Sequence, residues 1–401
     1  MGDRPLPTVA FVVPWFGEEV VGGAETLVRQ LAENLHASRG LAVEVLTTCA
    51  RDGAGGWSAD FHKEGTSVQR GVTVRRFKLD RRPKTRFDDV NSRLMRGISV
   101  TPEEEALFLR EIVNSSRLYD FIDRNKDNRV FVFAPYPFGT TYWGAKVAPD
   151  RSFLIPCLHD EGYAHMMLMR EMFQTFQRML FLSLPEMALA RRLYDLPEER
   201  LFLLGAGVDV EATGNADRFR ERFGVREPFV LYVGRRSVGK STPLLIDYFC
   251  RFKERTSRPR LRDLKLVLAG SGPVDVPAEH LADVVDLGFL SEEEKRDAYA
   301  AALLTCQPSV QESFSLVIME SWVQRTPVLV HAACDVTRDH CLRSNGGLFF
   351  ANYGEFAGCL EFLDANPVVR RKMGRLGREY VRANSSWERI TEKFVSAVFG
   401  E

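Results

Sequence analysis

The chain has 401 residues, 45% apolar and 27% charged, which excludes a disordered or fibrous polypeptide and exceeds one ordinary hydrophobic core, so two or three domains are expected. Acidic and basic residues balance at 54 each, so no global field gathers polyanions and no nucleic-acid partner is expected. Seven cysteines without CxxC spacing argue against a disulfide scaffold or a structural zinc site.

In chain order, residues 8–14 (TVAFVVP) read as a buried strand. A loop runs to Gly23, and a helix follows over 24–37, with Leu27, Leu31 and Leu35 on one face. A strand at 42–49 (AVEVLTTC) completes a βαβ unit. Residues 51–64, rich in Gly, Asp and Ser, read as an exposed loop, and 68–79 as one or two edge strands. Pro102 and three glutamates open a predicted helix over 102–121. Strands at 129–134 and 153–158, a helix over 164–178, a short strand at 179–184 and a helix over 185–194 come next. The Pro-, Glu- and Gly-containing stretch 196–207 reads as a domain junction.

The pattern then restarts. A strand at 229–233 leads to a helix over 243–252, and a strand at 264–269 ends in Gly-Ser-Gly-Pro. A short strand at 284–287 precedes a helix over 291–302, with Ser291 at its cap. Strand 303–306, helix 315–324 and strand 328–330 follow, with terminal helices over 367–383 and 386–398. Two successive β/α blocks predict two parallel sheets covered by helices, with ligands at the carboxyl ends of strands. The expected domains are 1–207 and 208–384.

Residues 234–241 (GRRSVGKS) fit the phosphate-loop pattern GxxxxGK[ST] and lie between a strand and a helix. A nucleotide hydrolase also needs an acid closing a nearby strand to hold Mg²⁺. The strand LKLVLAGSG ends without one, as does 303–306, so the match is expected to be a decoy. Under either reading, Arg235 and Lys240 place a guanidinium and an ammonium beyond a strand end, where they can neutralise a diphosphate. The plain alternative is surface charge. The basic run Arg75, Arg76, Lys78, Arg81, Arg82, Lys84 and Arg86 reads as a solvated edge or as a contact for an anionic acceptor or lipid headgroup.

The second half resembles the nucleotide-binding domain of glycosyltransferase family 4, a group of retaining transferases. Gly234, Arg235 and Lys240 in YVGRRSVGKS match the family's GR…K loop, with Ser241 where the family usually has glycine. LVLAGSGP (266–273), Gly288–Phe289–Leu290 and the E-x7-E signature from Glu312 to Glu320 follow in the family's order. VGGAE (21–25) matches its first-domain GG-x-E loop. His159, closing FLIPCLH, matches a histidine beside the donor sugar, and Gly207–Asp209 matches its GVD with Ala206 in place of the usual preceding asparagine. Trp387 in SSWERI resembles the terminal helix that returns to the first domain, here 385–401.

The resemblance implies an α/β GT-B architecture of two Rossmann-like domains facing across a cleft. It implies a retaining transfer of a sugar from a nucleoside-diphosphate donor to an acceptor hydroxyl. Arg235, Lys240, Glu312 and His159 would act at the reacting end, with Glu312 on sugar hydroxyls. Gly22, Gly23, Gly234, Gly272, Phe289, Leu290 and Glu320 would bind the donor, with Glu320 on the ribose and 289–290 bordering the base. Glycine lets amides approach a phosphate, and a helix N-terminus favours one. The same analogy implies no cofactor and no metal, cationic side chains taking the place of Mg²⁺. The partners expected are a nucleotide sugar and an acceptor glycan, lipid-linked sugar or small molecule.

With no apolar run of the roughly 18–20 residues a span needs and no signal-peptide pattern, a cytoplasmic location is expected, and peripheral membrane contact stays open. Variable loops at 51–64 and 81–89 are expected to choose the acceptor. A phosphate-loop hydrolase, a sugar-nucleotide epimerase and a non-catalytic nucleotide-sugar-binding protein are the rivals.

Overall fold

The computed structural model describes residues 6–18, 20, 22–53, 56–81 and 85–400. Residues 21, 54, 55, Arg82 and Lys84, which fall within segments discussed above, lie outside the described residues. The chain divides into two compact units, Met1–Gly207 with Trp387–Glu401, and Val208–Ser386.

Unit 1 is built on an eight-stranded sheet. Its strands are β1 (Thr8–Val12), β2 (Val43–Thr48), β3 (Gly65–Gln69), β4 (Val72–Phe77), β5 (Arg129–Phe133), β6 (Ser152–Leu154), β7 (Arg178–Phe181) and β8 (Leu201–Leu203). Their order is β3-β4-β2-β1-β5-β6-β7-β8, parallel throughout except for β3 against β4. Helices cover both faces, so β2 and β5 are buried almost continuously rather than on alternate residues. The edge expected at 68–79 is a hairpin. Arg70 (φ 46°) and Gly71 (φ 85°) supply the two left-handed residues of a tight turn whose twist matches the strands.

Several helices depart from expectation. The single helix over 102–121 is two, Pro102–Glu111 and Ser116–Asn125. Asn114 Nδ2 donates to the carbonyls of Leu109 (3.0 Å) and Ile112 (2.6 Å), closing the first, and Ser115 Oγ caps the second. The helix over 164–178 shortens to Met167–Phe173, and residues 81–89, read as loop, enter the helix Thr85–Met95. Helix Gly139–Val147 was not expected.

Unit 2 holds β9 (Phe229–Val233), β10 (Lys265–Ala269), β11 (Val284–Gly288), β12 (Leu304–Gln307), β13 (Val328–His331) and β14 (Gly347–Phe350). They form one parallel sheet in the order β11-β10-β9-β12-β13-β14. This is the doubly wound order, and it reverses direction between β9 and β12. Helix Leu316–Val323 is fixed by Trp322, whose Nε1 donates to Gly346 O at 2.8 Å. Helix Pro367–Asn384 comes so close that a Cβ on Gly377 would overlap the Trp322 ring.

The last helix, Trp387–Phe399, buries Ile390, Phe394 and Ala397 in unit 1 and packs against helix Gly23–Arg39. Arg39 Nε donates to Thr391 Oγ1 (3.1 Å) and Arg178 Nη1 to Ala397 O (2.8 Å). Gly207 is needed here because a Cβ would overlap the Trp387 ring. Among the described residues no helix is long and apolar enough to cross a membrane.

Candidate functional site

The reversal between β9 and β12 opens a crevice beyond their carboxyl ends, the place where doubly wound sheets bind ligands. Residues 234–241 follow β9 and 308–315 follow β12. Lys240 Nζ meets Glu312 Oε1 at 2.7 Å, and Gln307 Nε2 approaches the same oxygen at 3.5 Å. Lys240 is one-third exposed and Glu312 only 11%, so the pair is half-withdrawn from water yet open on the lysine side. Arg235 is exposed on the same loop, and its guanidinium makes no ion pair with another described residue.

The loop after β9 is rigidly backed. Tyr232 Oη donates to Arg235 O at 2.8 Å. Buried Arg236 donates through Nε and Nη2 to Gly272 O (3.0 and 2.8 Å) and through Nη1 to Asp286 (2.6 Å). One guanidinium therefore ties together the ends of β9, β10 and β11. Gly272 (φ 113°) is required there, since a Cβ would overlap Arg236 O, and Gly270 (φ 129°) is required in the same way, since its Cβ would overlap Gly234 O.

This geometry disfavours the phosphate-loop hydrolase. In such a loop the residue after the lysine offers its hydroxyl to Mg²⁺ from the following helix. Here Ser241 is left-handed (φ 54°) and stands outside helix Thr242–Arg255. The neighbouring strands β10 and β12 end in Ala269 and Gln307, not in an acid.

Glu320 lies on helix Leu316–Val323 and is held from both sides, by Lys295 Nζ (2.9 Å) and Tyr299 Oη (3.0 Å). Burial alone would lower the Lys295 pKa; the Glu320 and Glu292 carboxylates outweigh it and hold it above the ordinary value. Burial and then Glu320 push Tyr299 well up. Phe289 is 69% exposed, whereas Leu290 buries its side chain in the cluster containing Phe229 and Tyr299. The segment therefore offers a ligand its backbone and the Phe289 ring, not the leucine. Ser315 precedes the Glu320 helix in a strained backbone (φ 74°), with a buried hydroxyl that has no hydrogen-bond partner among the described residues.

Gly22, Gly23 and His159 belong to unit 1. Gly22 precedes helix Gly23–Arg39, where the Glu25 carboxylate folds back so closely that a Cβ on Gly22 would overlap it; Trp15 Nε1 holds that carboxylate at 2.8 Å. Gly23 faces open space. His159 follows β6 with Nδ1 3.8 Å from Glu161, which itself accepts from Tyr136 Oη at 2.8 Å. Asp160 binds His165 (2.8 Å) and Arg192 (2.6 Å). Beside this loop a cavity of about 570 Å³ is lined by residues including Ile98, Glu105, Asp160, Glu161 and Met167.

The reading of the basic run needs correction. Arg75 is committed to buried Glu44 (2.7 Å) and Arg76 to Phe16 O (2.7 Å), so these two members of the basic run hold the fold. The 51–64 segment is the largely exposed loop expected, anchored by buried Trp57, with Nε1 on Glu111 O at 2.9 Å.

Sequence reasoning passed over Arg236, Lys295, Tyr299 and Glu186. Arg236 had a signal, the second arginine of GRR after a strand. Lys295 reads locally as a surface partner of Glu292 three residues before it. Glu186 completes Ser183-Leu-Pro-Glu, which reads as a capping box. Ser183 does cap, but the carboxylate turns inward to accept from Leu158 N (2.7 Å) and Leu182 N (2.6 Å), and burial pushes it up to about 7.

Residues 215–380 match the family model described as glycosyl transferases group 1. The chain is 30% identical over 226 residues to a D-inositol 3-phosphate glycosyltransferase of Kribbella flavida, covering 51% of this chain and 52% of that protein. It is 30% identical over 200 residues to an alpha-D-kanosaminyltransferase of Streptomyces kanamyceticus, covering 46% and 50%. The chain thus spans about half the length of these curated relatives. Among solved structures it is similar to the sucrose-phosphate synthase of Thermosynechococcus elongatus, with a TM-score of 0.71 at 17% identity over 98% of both chains. It is also similar to Anabaena Alr3699/HepE, solved in complex with UDP and glucose, with a TM-score of 0.70 at 13% identity over 98% of this chain and 100% of that one. The two parallel α/β units have the GT-B fold.

Proposed function

We propose that the protein is a retaining glycosyltransferase that moves a sugar from a nucleoside diphosphate to an acceptor hydroxyl. The observation that carries this reading is the Lys240–Glu312 pair at the switch point of unit 2, within the segment that matches the glycosyl transferase family model. A diphosphate would draw on Lys240 and Arg235, and Glu312 would turn to accept from donor-sugar hydroxyls. Glu320, held by Lys295 and Tyr299, keeps unused lone pairs for a ribose diol.

In the reaction the bond from the anomeric carbon to the diphosphate oxygen breaks, and its electron pair leaves on that oxygen. Lys240 and Arg235 stabilise the charge as it grows, which lowers the barrier rather than merely tightening the ground state. The acceptor oxygen bonds the same face of the carbon, and its proton passes to the departing phosphate. Retention follows from the resemblance of 312–320 to the E-x7-E signature. His159 would hydrogen-bond the donor sugar, and the cavity beside it has the size of a small-molecule site and would take the acceptor. No cofactor beyond the donor is proposed. None of the seven cysteines is in a disulfide and six are buried, which fits the proposed reducing cytoplasmic setting.

The test is a thermal-shift panel of UDP-, GDP-, ADP- and dTDP-sugars, then acceptor-dependent release of the selected nucleoside diphosphate. UDP-glucose is the first donor, because HepE was also solved in complex with it. Mg²⁺-dependent phosphate release from ATP without sugar transfer would refute the reading. Stabilisation by a donor that is never turned over would leave a binding protein.

A further inference from the structure

Unit 1 contains a carboxylate that the proposed chemistry does not use. Glu186, on helix Leu184–Tyr194, is 1% exposed, and its oxygens accept from the amides of Leu158 at 2.7 Å and Leu182 at 2.6 Å. Leu182 directly follows β7, and Leu158 directly precedes His159. One side chain thus joins the end of β7 to the segment that follows β6, at the point where the backbone delivers the histidine.

Helix capping does not account for it. Ser183 Oγ accepts from Glu186 N at 3.3 Å and the Ser183 amide also acts on the carboxylate, but the two short bonds, to Leu158 and Leu182, lie outside a capping box. Burying a carboxylate is costly, and the amides of Leu182, Leu158 and Ser183 together with His159 only partly offset the cost, leaving the carboxyl up at about 7. The segment it holds is strained. Cys157, one residue before Leu158, is left-handed at φ 52°, a conformation disfavoured for any residue but glycine. The His159 imidazole stands 3.8 Å from Glu161, beyond hydrogen-bond distance, and among the described residues no side-chain hydrogen bond fixes it, so its placement depends on the backbone.

We propose that Glu186 is the positioning residue of the His159 loop, locking the Leu158 amide to the end of β7 so that His159 is presented to the donor in one orientation. This rests on the reading of His159 as a donor-side residue. Glu186→Gln keeps the shape but sets an NH₂ against one of the two amide donors, so the clamp loses one of its bonds.

The experiment is a double-mutant cycle on transfer, with Glu186→Gln, His159→Ala and the pair. Glu186→Gln is expected to lower kcat at least tenfold, with donor KM changed less than threefold. In the His159→Ala background it should change kcat less than twofold. An equal loss in both backgrounds, or a wild-type kcat for Glu186→Gln, overturns the proposal. If His159→Ala alone keeps wild-type kcat, the reading of His159 fails and the proposal falls with it; an additive cycle removes the proposal only. Glu186→Asp, which keeps the charge but is too short to span both amides, runs the same cycle if the glutamine variant does not fold. If neither folds, hydrogen exchange at Leu158 in the unmodified protein decides, protection supporting the clamp and free exchange overturning it.

Discussion

Removing the charge of Glu312 should have opposite effects on two quantities that a simple active-site mutation would lower together. Lys240 is bound to Glu312 at 2.7 Å, with the lysine one-third exposed and the glutamate 11% exposed. An exposed pair is worth about 0.2–1 kcal/mol, and breaking a fully buried one costs about 3–5 kcal/mol. This pair lies nearer the first figure, because solvent reaches the ammonium. A diphosphate must compete with Glu312 for that ammonium and also meets its negative charge. Glu312→Gln relieves both, and about 1 kcal/mol of relief tightens binding of a free nucleoside diphosphate about fivefold. The same change removes a charge-assisted hydrogen bond to the donor sugar, worth about 1.5–3 kcal/mol, so kcat/KM for transfer falls about 10- to 150-fold. Lys240→Met instead weakens nucleoside diphosphate binding by about 10- to 100-fold. Titration calorimetry with UDP and GDP at fixed ionic strength measures both, since salt screens the half-exposed partner. Nucleoside diphosphate binding weakened tenfold by Glu312→Gln, or left unchanged by Lys240→Met, would refute this division of roles.

Lys295→Met should raise donor KM about 5- to 20-fold with kcat within twofold, because it unfixes a ribose contact present in ground and transition states alike; an unchanged KM in steady-state assays would show Glu320 to be structural. Burial holds His340 down at about 3, against an ordinary 6.5, so below pH 6.5 the unfolded chain takes up a proton that the folded one refuses. Stability should therefore fall as pH drops from 6.5, by up to about 1.4 kcal/mol per unit, and urea midpoints of His340→Asn should lose that dependence. Ser315→Gly should stabilise the fold by about 1 kcal/mol by relieving φ 74° and removing an unpartnered hydroxyl, net of glycine's larger unfolded-state entropy; a lowered thermal midpoint would mean the serine makes a contact worth more than its strain.

Strands β9 to β13 of unit 2 were legible because they are short, largely apolar runs stopped by glycine or a polar turn, as at β9 and β10, whereas β14 was not expected; helix Glu292–Ala301 carried its start in the Ser291–Glu294 capping box. Helix Gly139–Val147 was not legible. Its glycines and threonines are poor helix formers, and burial on most sides leaves no amphipathic period to read. Helix Tyr353–Ala365 does carry the period, in buried Phe356, Leu360 and Leu363, but two glycines in its first half mask it. The break near Asn114 depends on a side chain turning back onto carbonyls, which a spacing rule does not see.

The site was legible to the extent that its chemistry is local. Arg235, Lys240, Glu312 and Glu320 could be named from letter patterns, but what Lys240 does could not be read from GRRSVGKS, because those letters also describe a phosphate loop. The discriminating fact is 72 residues away, where the loop after β12 supplies Glu312. A hydrolase would need an acid closing one of the neighbouring strands to hold Mg²⁺; here β12 closes in Gln307, and the acid stands five residues later, bonded to the lysine itself. Topology brings the two loops together, and Ser241, left-handed and outside the helix, cannot offer its hydroxyl from a helical first turn. The residues that hold the site in shape were harder still. Arg236, Lys295 and Glu186 each look locally like ordinary surface or capping residues, and each acts on a backbone or carboxylate that only the folded sheet brings within reach.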